Sequence, residues 1–262
     1  TEVTEVRPVL APGGQAAFEV RSRPAEPWRR EGAAHDVLLA RYVAVATGYY
    51  DNPKLLGVPG EDLPHVSHYY DEGHGQYGRE VVIVGAGSSA ADAALDLFRA
   101  GAKVTIVHRG PDFRHSLKYW VRPNLENRVK EGSVAVHFCA TVKAILPGAV
   151  IVAADGQELR LPADRVFLLT GYSAPPHLLR AAGVRIDEAT QAAELDPHPF
   201  QRNVKGLFVI GSAGFGTRTS DVFIENGLIH ARVALAVVAG RVAGRKAQGA
   251  EDGGRRQGAI ES

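Results

Sequence analysis

Apolar and polar positions alternate, and break often, over the first forty residues. TEVTEVRPVL (1–10), AAFEVRSR (16–23) and HDVLLARYVAVATG (35–48) are separated by Pro/Gly-rich or charged turns. This pattern predicts strands with one covered face, a small antiparallel meander. The meander leads into a buried strand over Tyr42–Ala46 that ends at Thr47-Gly48. From Tyr50 to Gly78 the chain is punctuated by Pro53, Pro59, Gly60, Pro64, Gly73, Gly75 and Gly78, a loop-rich connector. A domain boundary is expected near Gln76.

Beyond the connector the period changes. Val81–Val84 is a continuous apolar run, which suits a parallel strand buried on both faces. The turn Gly85-Ala86-Gly87-Ser88-Ser89-Ala90 follows, then a helix over Ala90–Arg99 closed by Gly101, then a strand over Val104–Val107. Strand, glycine turn, helix and strand in this order make a βαβ unit. RPNLENRVKEG predicts a further helix, with Asn124 as its cap, a Glu126–Lys130 pair and Gly132 as its stop. SVAVHFCATVKAIL (133–146) and AVIVAADGQELRLP (149–162) read as strands, the second folded at Asp155-Gly156. DRVFLLTGY (164–172) ends at Thr170-Gly171 and echoes YVAVATGYY, as if two dinucleotide units close in the same way. GLFVIGSAG (206–214) is a strand ending at Gly211, and a long amphipathic helix is expected from a Ser220 cap and Asp221 onward. The polar Gly/Arg-rich tail after Gly244 is expected to be disordered. The organisation read from these signals is α/β: residues 1–76, 77–171 and 172–244, then a tail over 245–262.

Composition narrows the function. The chain is 45% hydrophobic and 23% charged, as folded proteins are, and its formal net charge of +1 gives no reason to expect nucleic acid or an acidic membrane as partner. No apolar run approaches the roughly 18 residues of a membrane span, so none is expected. The chain opens at Thr1 without Met or a signal-type segment and reads as N-terminally truncated. The single cysteine, Cys139, excludes an internal disulfide and a CxxC pair and fits a cytoplasmic setting. Set within VAVHFCATV, it is expected to be a buried structural thiol. His65, His68 and His74 lack partners at ligand spacing, so no metal site is expected.

The glycine turn carries the sharpest chemistry. Gly85 permits the tight turn, Gly87 lets a pyrophosphate approach the backbone, and the small Ala90 allows close helix–strand packing. Ser88 and Ser89 open the helix, whose N-terminus offers N–H groups to phosphate. Where an NAD-specific unit places an acidic residue, this chain has His108 and Arg109, with Arg114 shortly after. Cations there suit a 2′-phosphate and predict NADPH rather than NADH. The alternative is that both arginines are ordinary solvated charges.

Taken together, HYYDEGH, GAGSSAADAALDLFRAGAKVTIVHRG, LKYWVRPNLENRVKEGSV, LLTGY and VFIENGLIH resemble the YpdA-type bacillithiol disulfide reductases, relatives of thioredoxin reductase. The resemblance runs from about Val37 to His230. It implies two Rossmann-like domains, with an NADPH domain inserted in a split FAD domain that is incomplete here. It implies FAD and NADPH as cofactors, a small disulfide as substrate and a homodimer. Thr47, Gly48, Gly211 and Ser212 would line the FAD side. Thr170 and Gly171 would sit where the NADPH domain returns the chain. Glu225 and Asn226 would lie near the flavin ring or the nicotinamide, although Glu225 equally suits a solvated helix charge. The family's glycine-rich FAD loop and its cysteine have no counterpart in these residues, so the catalytic residue is unassigned. Ser212 stands where many relatives have Asp, Gly110 where a second Arg is common, and Ser88 where Asn or Asp is expected. Two other readings stay open. One is a flavin-containing monooxygenase, whose Phe-x-Gly signature ahead of a histidine is not matched by Glu61 or Pro64. The other is a non-catalytic NADPH-binding fragment.

Overall fold

A computed structural model describes residues 1–25, 36–115, 117–194, 203–219 and 222–257, with backbone alone over 245–257. The chain divides into two compact units, Thr1–Asn52 with Tyr172–Ser262, and Pro53–Gly171.

The first unit begins with β1 (Glu2–Ala11), β2 (Gln15–Arg23) and β3 (Asp36–Ala40) in an antiparallel sheet of that order. Gly13 and Gly14 both take positive φ in the β1–β2 turn, a conformation glycine adopts without a Cβ penalty. Cross-strand ion pairs Arg7–Glu19 at 2.8 Å and Arg23–Glu2 at 2.9 Å line the sheet, while Val6 and Phe18 point into a core. β4 (Val43–Val45) belongs to the same unit and pairs in parallel with the later strand β13 (Leu207–Val209). Val6, Phe18, Val45, Leu179, Leu207 and Val209 pack together, drawing the meander, the short helix α3 (His177–Ala181) and the parallel pair into one cluster. The unit closes with α4 (Ile224–Gln257).

In the second unit, β5 (Val66–Ser67), β6 (Glu80–Val84), β7 (Lys103–Val107), β8 (Val134–His137) and β12 (Arg165–Leu168) form a parallel sheet in the order β5-β12-β6-β7-β8. The helices α1 (Ser88–Arg99) and α2 (Arg122–Lys130) accompany it. An antiparallel sheet of β9 (Ala140–Leu146), β10 (Ala149–Ala154) and β11 (Gln157–Pro162) is the other layer. Strand alternation shows why the parallel strands read as unbroken apolar runs. Val81, Ile83, Val104, Ile106 and Phe167 share a cluster with the alanines of α1 and Leu125 of α2. Val82, Val84, Val107, Val166 and Leu168 share the other with Ile145, Val150 and Val152. The alanines of α1 let the helix lie close to the sheet. Gly101, at φ +82°, ends it: Gly101 N–H donates to Phe98 O and Ala102 N–H to Leu97 O, each at 3.0 Å, a Schellman closure.

Several expectations change. The unit boundary falls at Asn52/Pro53 rather than near Gln76. The connector belongs with the parallel sheet because β5 pairs with β12 and Leu56, Val58 and Leu63 pack under it. Helix α1 starts at Ser88, two residues before Ala90. Asn124 lies inside α2 rather than at its cap, and Glu126 pairs with Arg122 at 3.0 Å, one turn back, rather than with Lys130. The segment 133–146 is two strands, broken at Phe138-Cys139 where Cys139 takes φ +50°. The tail is helical in its backbone to Gln257, as its Ala, Arg, Lys, Gln and Glu residues favour. Within α4, Ile224–Gly244 is, by length and composition, long and apolar enough to cross a membrane, against the expectation from the sequence. Ser220 and Asp221, the expected start of this helix, lie outside the described residues.

Candidate functional site

In the second unit the glycine turn lies at the C-terminal ends of the parallel strands, where open α/β sheets bind ligands. Gly85 donates its N–H to Val107 O at 3.0 Å and has φ +135°. A Cβ there would lie 2.3 Å from Leu169 O, so backbone of the neighbouring strand fills the space a side chain would need. Gly87 is different: a Cβ there would meet only the Arg114 Cδ, at 3.8 Å. The first glycine is required by the fold, whereas the second keeps a surface open. The N-cap of α1 is Gly87, which has no side chain to close the helix start. Its Ser88 and Ser89 amides stand at the positive end of the helix dipole. Ala90, fully buried, packs beneath the turn.

Arg114 donates its backbone N–H to Ala86 O at 3.1 Å, which sets this residue against the turn. Arg122 braces the same segment, donating from Nη2 to Phe113 O at 3.0 Å and Arg114 O at 3.4 Å, and from Nη1 to Asp112 and Glu126. His108 is held between strand ends: its N–H donates to His137 O and its carbonyl accepts from Ala140 N–H, both at 2.9 Å. Burial, then the charges of Arg109 and Arg114, hold the His108 imidazole below the usual histidine value. A Cβ on Gly110 would come within 2.8 Å of His108 Nε2, so the missing second arginine leaves room for the imidazole.

Sequence reasoning passed over Lys54. Its N–H donates to Gly171 O at 2.9 Å, and the Thr170 hydroxyl donates to its carbonyl at 2.7 Å. Thr170 and Gly171 thus anchor a half-buried lysine at the end of β12. Burial, then Arg114 and Arg109, hold its ammonium below the usual lysine range. The only signal was a basic residue after Pro53, in a stretch that read as loop. Cys139 also departs from expectation. It is exposed, in the bend between β8 and β9, with its N–H on Gly110 O at 2.9 Å. Of the connector histidines, His68 Nε2 lies 3.5 Å from Glu61, whose carboxylate accepts the N–H groups of Leu56 and Gly57. Among the described residues no group of three His, Cys, Asp or Glu gathers to hold a metal.

In the first unit, Gly48 and Gly211, at φ +67° and +63°, follow the two parallel strands. A Cβ on Gly48 would sit 3.9 Å from Ser212 Oγ. The structure therefore brings Gly48 to Gly211-Ser212, next to Thr47, which is exposed. A Cβ on Gly227 would lie 3.5 Å from Gly211 Cα, so α4 meets the strand end through two glycines. His230, which the sequence did not single out, accepts the Gly211 N–H on Nδ1 at 3.2 Å, and burial lowers its pKa. Asn226 Oδ1 accepts the Phe223 N–H at 3.0 Å and so closes the first turn of α4. Glu225 is exposed on that turn.

Glycine turns at the ends of parallel strands, one of them ringed by cations, are the arrangement of nucleotide-binding α/β proteins. The family description "Pyridine nucleotide-disulphide oxidoreductase" matches residues 32–211, and the chain belongs to this family. It is 39% identical over 201 residues to the bacilliredoxin reductase Bdr of Bacillus subtilis, which covers 76% of this chain and 62% of that protein. The chain thus spans less than two thirds of this relative's length. The solved bacillithiol disulfide reductase Bdr (YpdA) from Bacillus cereus superposes with a TM-score of 0.83 at 35% identity, over 92% of this chain and 71% of that one. The resemblance read from the sequence motifs therefore holds. A Lactococcus lactis thioredoxin reductase shares the fold, with a TM-score of 0.70 at 20% identity over 91% of this chain and 73% of that one.

Proposed function

We propose that the chain is part of an NADPH-dependent flavoprotein that reduces a low-molecular-weight thiol disulfide, with bacillithiol disulfide as the substrate. The arrangement of Lys54, Arg109 and Arg114 around the Gly85–Ala90 turn carries this reading. The open face at Gly87 and the glycine N-cap of α1 fit a pyrophosphate, and Arg109 with Arg114 fits a 2′-phosphate. Residues 53–171 would then be the NADPH domain. Thr47, Gly48, Gly211 and Ser212 fit part of an FAD site at the ends of two parallel strands. Among the described residues no G-x-G-x-x-G/A turn follows a strand in that unit, so these residues fit that part alone. The first unit would be the remainder of a split FAD domain, and the family likeness supports a homodimer.

When bound, NADPH supplies a hydride and FAD passes the electrons to the disulfide. The roles of this chain's residues follow from their chemistry. Gly87 and the amides of Ser88 and Ser89 hold phosphate. Arg109 and Arg114 select the 2′-phosphorylated nucleotide, and neutral His108 packs beside them. The Ser212 hydroxyl would hydrogen-bond a ribityl oxygen, and the start of α4, with Glu225 and Asn226, would offer the flavin a partial positive charge. One cysteine and no CxxC pair leave no dithiol relay within these residues, so the disulfide would approach the flavin directly.

The test is an absorbance spectrum of the purified chain before and after FAD and then NADPH, beside calorimetric titration with NADPH. A flavin band that bleaches supports the whole reading, after which turnover is compared for bacillithiol disulfide and for oxidised bacilliredoxin. NADPH binding without flavin restricts the reductase reading to a longer protein. Failure to bind NADPH sinks it.

A further inference from the structure

We propose that Lys54 binds the pyrophosphate of the dinucleotide and strengthens NADPH and NADH alike, leaving the choice between them to Arg109 and Arg114. This rests on the reading of the Gly85 turn as a pyridine-nucleotide site.

The argument starts from strand order. In β5-β12-β6-β7-β8, β6 delivers the glycine turn, β7 lies on one side of it and β12 on the other. Arg109 follows β7, at the position that meets the adenine ribose in this type of unit. Lys54 is fixed on the opposite side. Its backbone is hydrogen-bonded to Thr170 and Gly171 just past β12, next to the Leu169 carbonyl that closes on Gly85. Arg114 lays its side chain over Gly87, and its charge and that of Arg109 both act on the Lys54 ammonium. Cations from two segments, the loop after β7 and the chain before β5, thus act on one another on either side of the turn.

The Lys54 backbone is anchored on the side away from the ribose position, which favours the phosphates at the turn over the 2′-phosphate. The ordering of charges agrees: Arg114, over Gly87, acts on the Lys54 ammonium more strongly than Arg109 does. The pyrophosphate is common to both nucleotides, whereas the 2′-phosphate belongs to one. A lysine is suited to the former as a compact point charge, and the planar guanidinium to bidentate binding of the latter.

Dissociation constants for NADPH and NADH, measured by nicotinamide fluorescence and calorimetry on the full chain, test this. The proteins are the unsubstituted chain, Lys54→Gln, Lys54→Arg and Arg109→Ala. Lys54→Gln keeps the backbone bonds to Thr170 and Gly171, and a thermal melt checks its fold. The expected result is a loss of about tenfold or more for both nucleotides in Lys54→Gln, the loss typical of a charged hydrogen bond. The NADPH-to-NADH ratio stays constant, and Lys54→Arg recovers most of the loss. Arg109→Ala changes the ratio instead. If Lys54→Gln binds both nucleotides as the parent does, or loses NADPH alone, the Lys54 assignment is overturned while the site reading stands. If the unsubstituted chain binds neither nucleotide, both fall together.

Discussion

The two units of this chain handle the same structural element, a short parallel strand ending in glycine, in different ways. In residues 53–171 the parallel sheet has five strands, with helices against one face and a three-stranded sheet against the other. In the first unit the parallel sheet has two strands. The outer strand β3 of its meander exposes Val37, Leu38 and Leu39, and α4 exposes Ile224, Leu228, Ile229 and Leu235. Both glycine turns are formed, but among the described residues one stands on a five-stranded sheet with a layer on each face and the other on a two-stranded one. A turn can be specified locally by a few residues, whereas its rigidity comes from the layers behind it.

The sharpest way to break this comparison is to add the same methyl group to each turn. Gly85→Ala places a Cβ against Leu169 O inside a packed sheet, in a backbone conformation that L residues rarely adopt. A loss of about 3 kcal/mol or more is expected in urea unfolding. Gly48→Ala meets only Ser212 Oγ at van der Waals distance, and should cost about 1–2 kcal/mol from its left-handed backbone alone. Equal losses would mean that the two turns are equally braced.

Hydrogen exchange sharpens the contrast further. Amides of β6, β7 and β12 should exchange only by global opening, and those of β3 and of Ile224–Gly244 by local opening, orders of magnitude faster. Uniform protection across the chain would contradict the difference in covering layers.

Arg122→Ala should act more mildly. It removes the donor that holds the Phe113 and Arg114 carbonyls, so Arg114 loses its fixed approach to Gly87. A severalfold weaker NADPH affinity is expected, with a small loss of stability. An unchanged affinity would show that Arg114 is positioned by its own backbone bond to Ala86.

The smallest effect is on pH. His108 and His230 both titrate below the ordinary value of 6.5. Below about pH 6.5 the unfolded chain takes up protons that the folded chain does not, so stability is fully present above that pH and falls as pH is lowered. For His230 burial is the cause, and protonating Nδ1 also removes the acceptor for the Gly211 N–H. His230→Asn should flatten the decline in melts of the first unit. A stability that rises on acidification would contradict both shifts.

Much of the site was legible because its signals are local. The glycine spacing, the apolar run before it and the cations after β7 all lie within one βαβ unit. The Asp155-Gly156 hairpin was equally plain, since both residues take positive φ, at 51° and 76°. What escaped depends on distant partners. β5 is two residues long and exists because Val166 lies beside Val66. Lys54 gains meaning only from Thr170 and Gly171, and His230 only from Gly211. Cys139 sat in an apolar stretch, and no periodicity announces that the chain leaves one sheet for another at that residue. Asn124 looked like a cap by type, but Pro123 serves the first turn of the helix and the start falls earlier.

Gly110 has a consequence for how this sequence can change. Any side chain there collides with the present orientation of His108, so the two positions are sterically coupled. An arginine installed at 110 turns the imidazole away in the same step. The effects of replacing 108 and 110 should then be non-additive, with the order of the two replacements deciding which intermediate is tolerated.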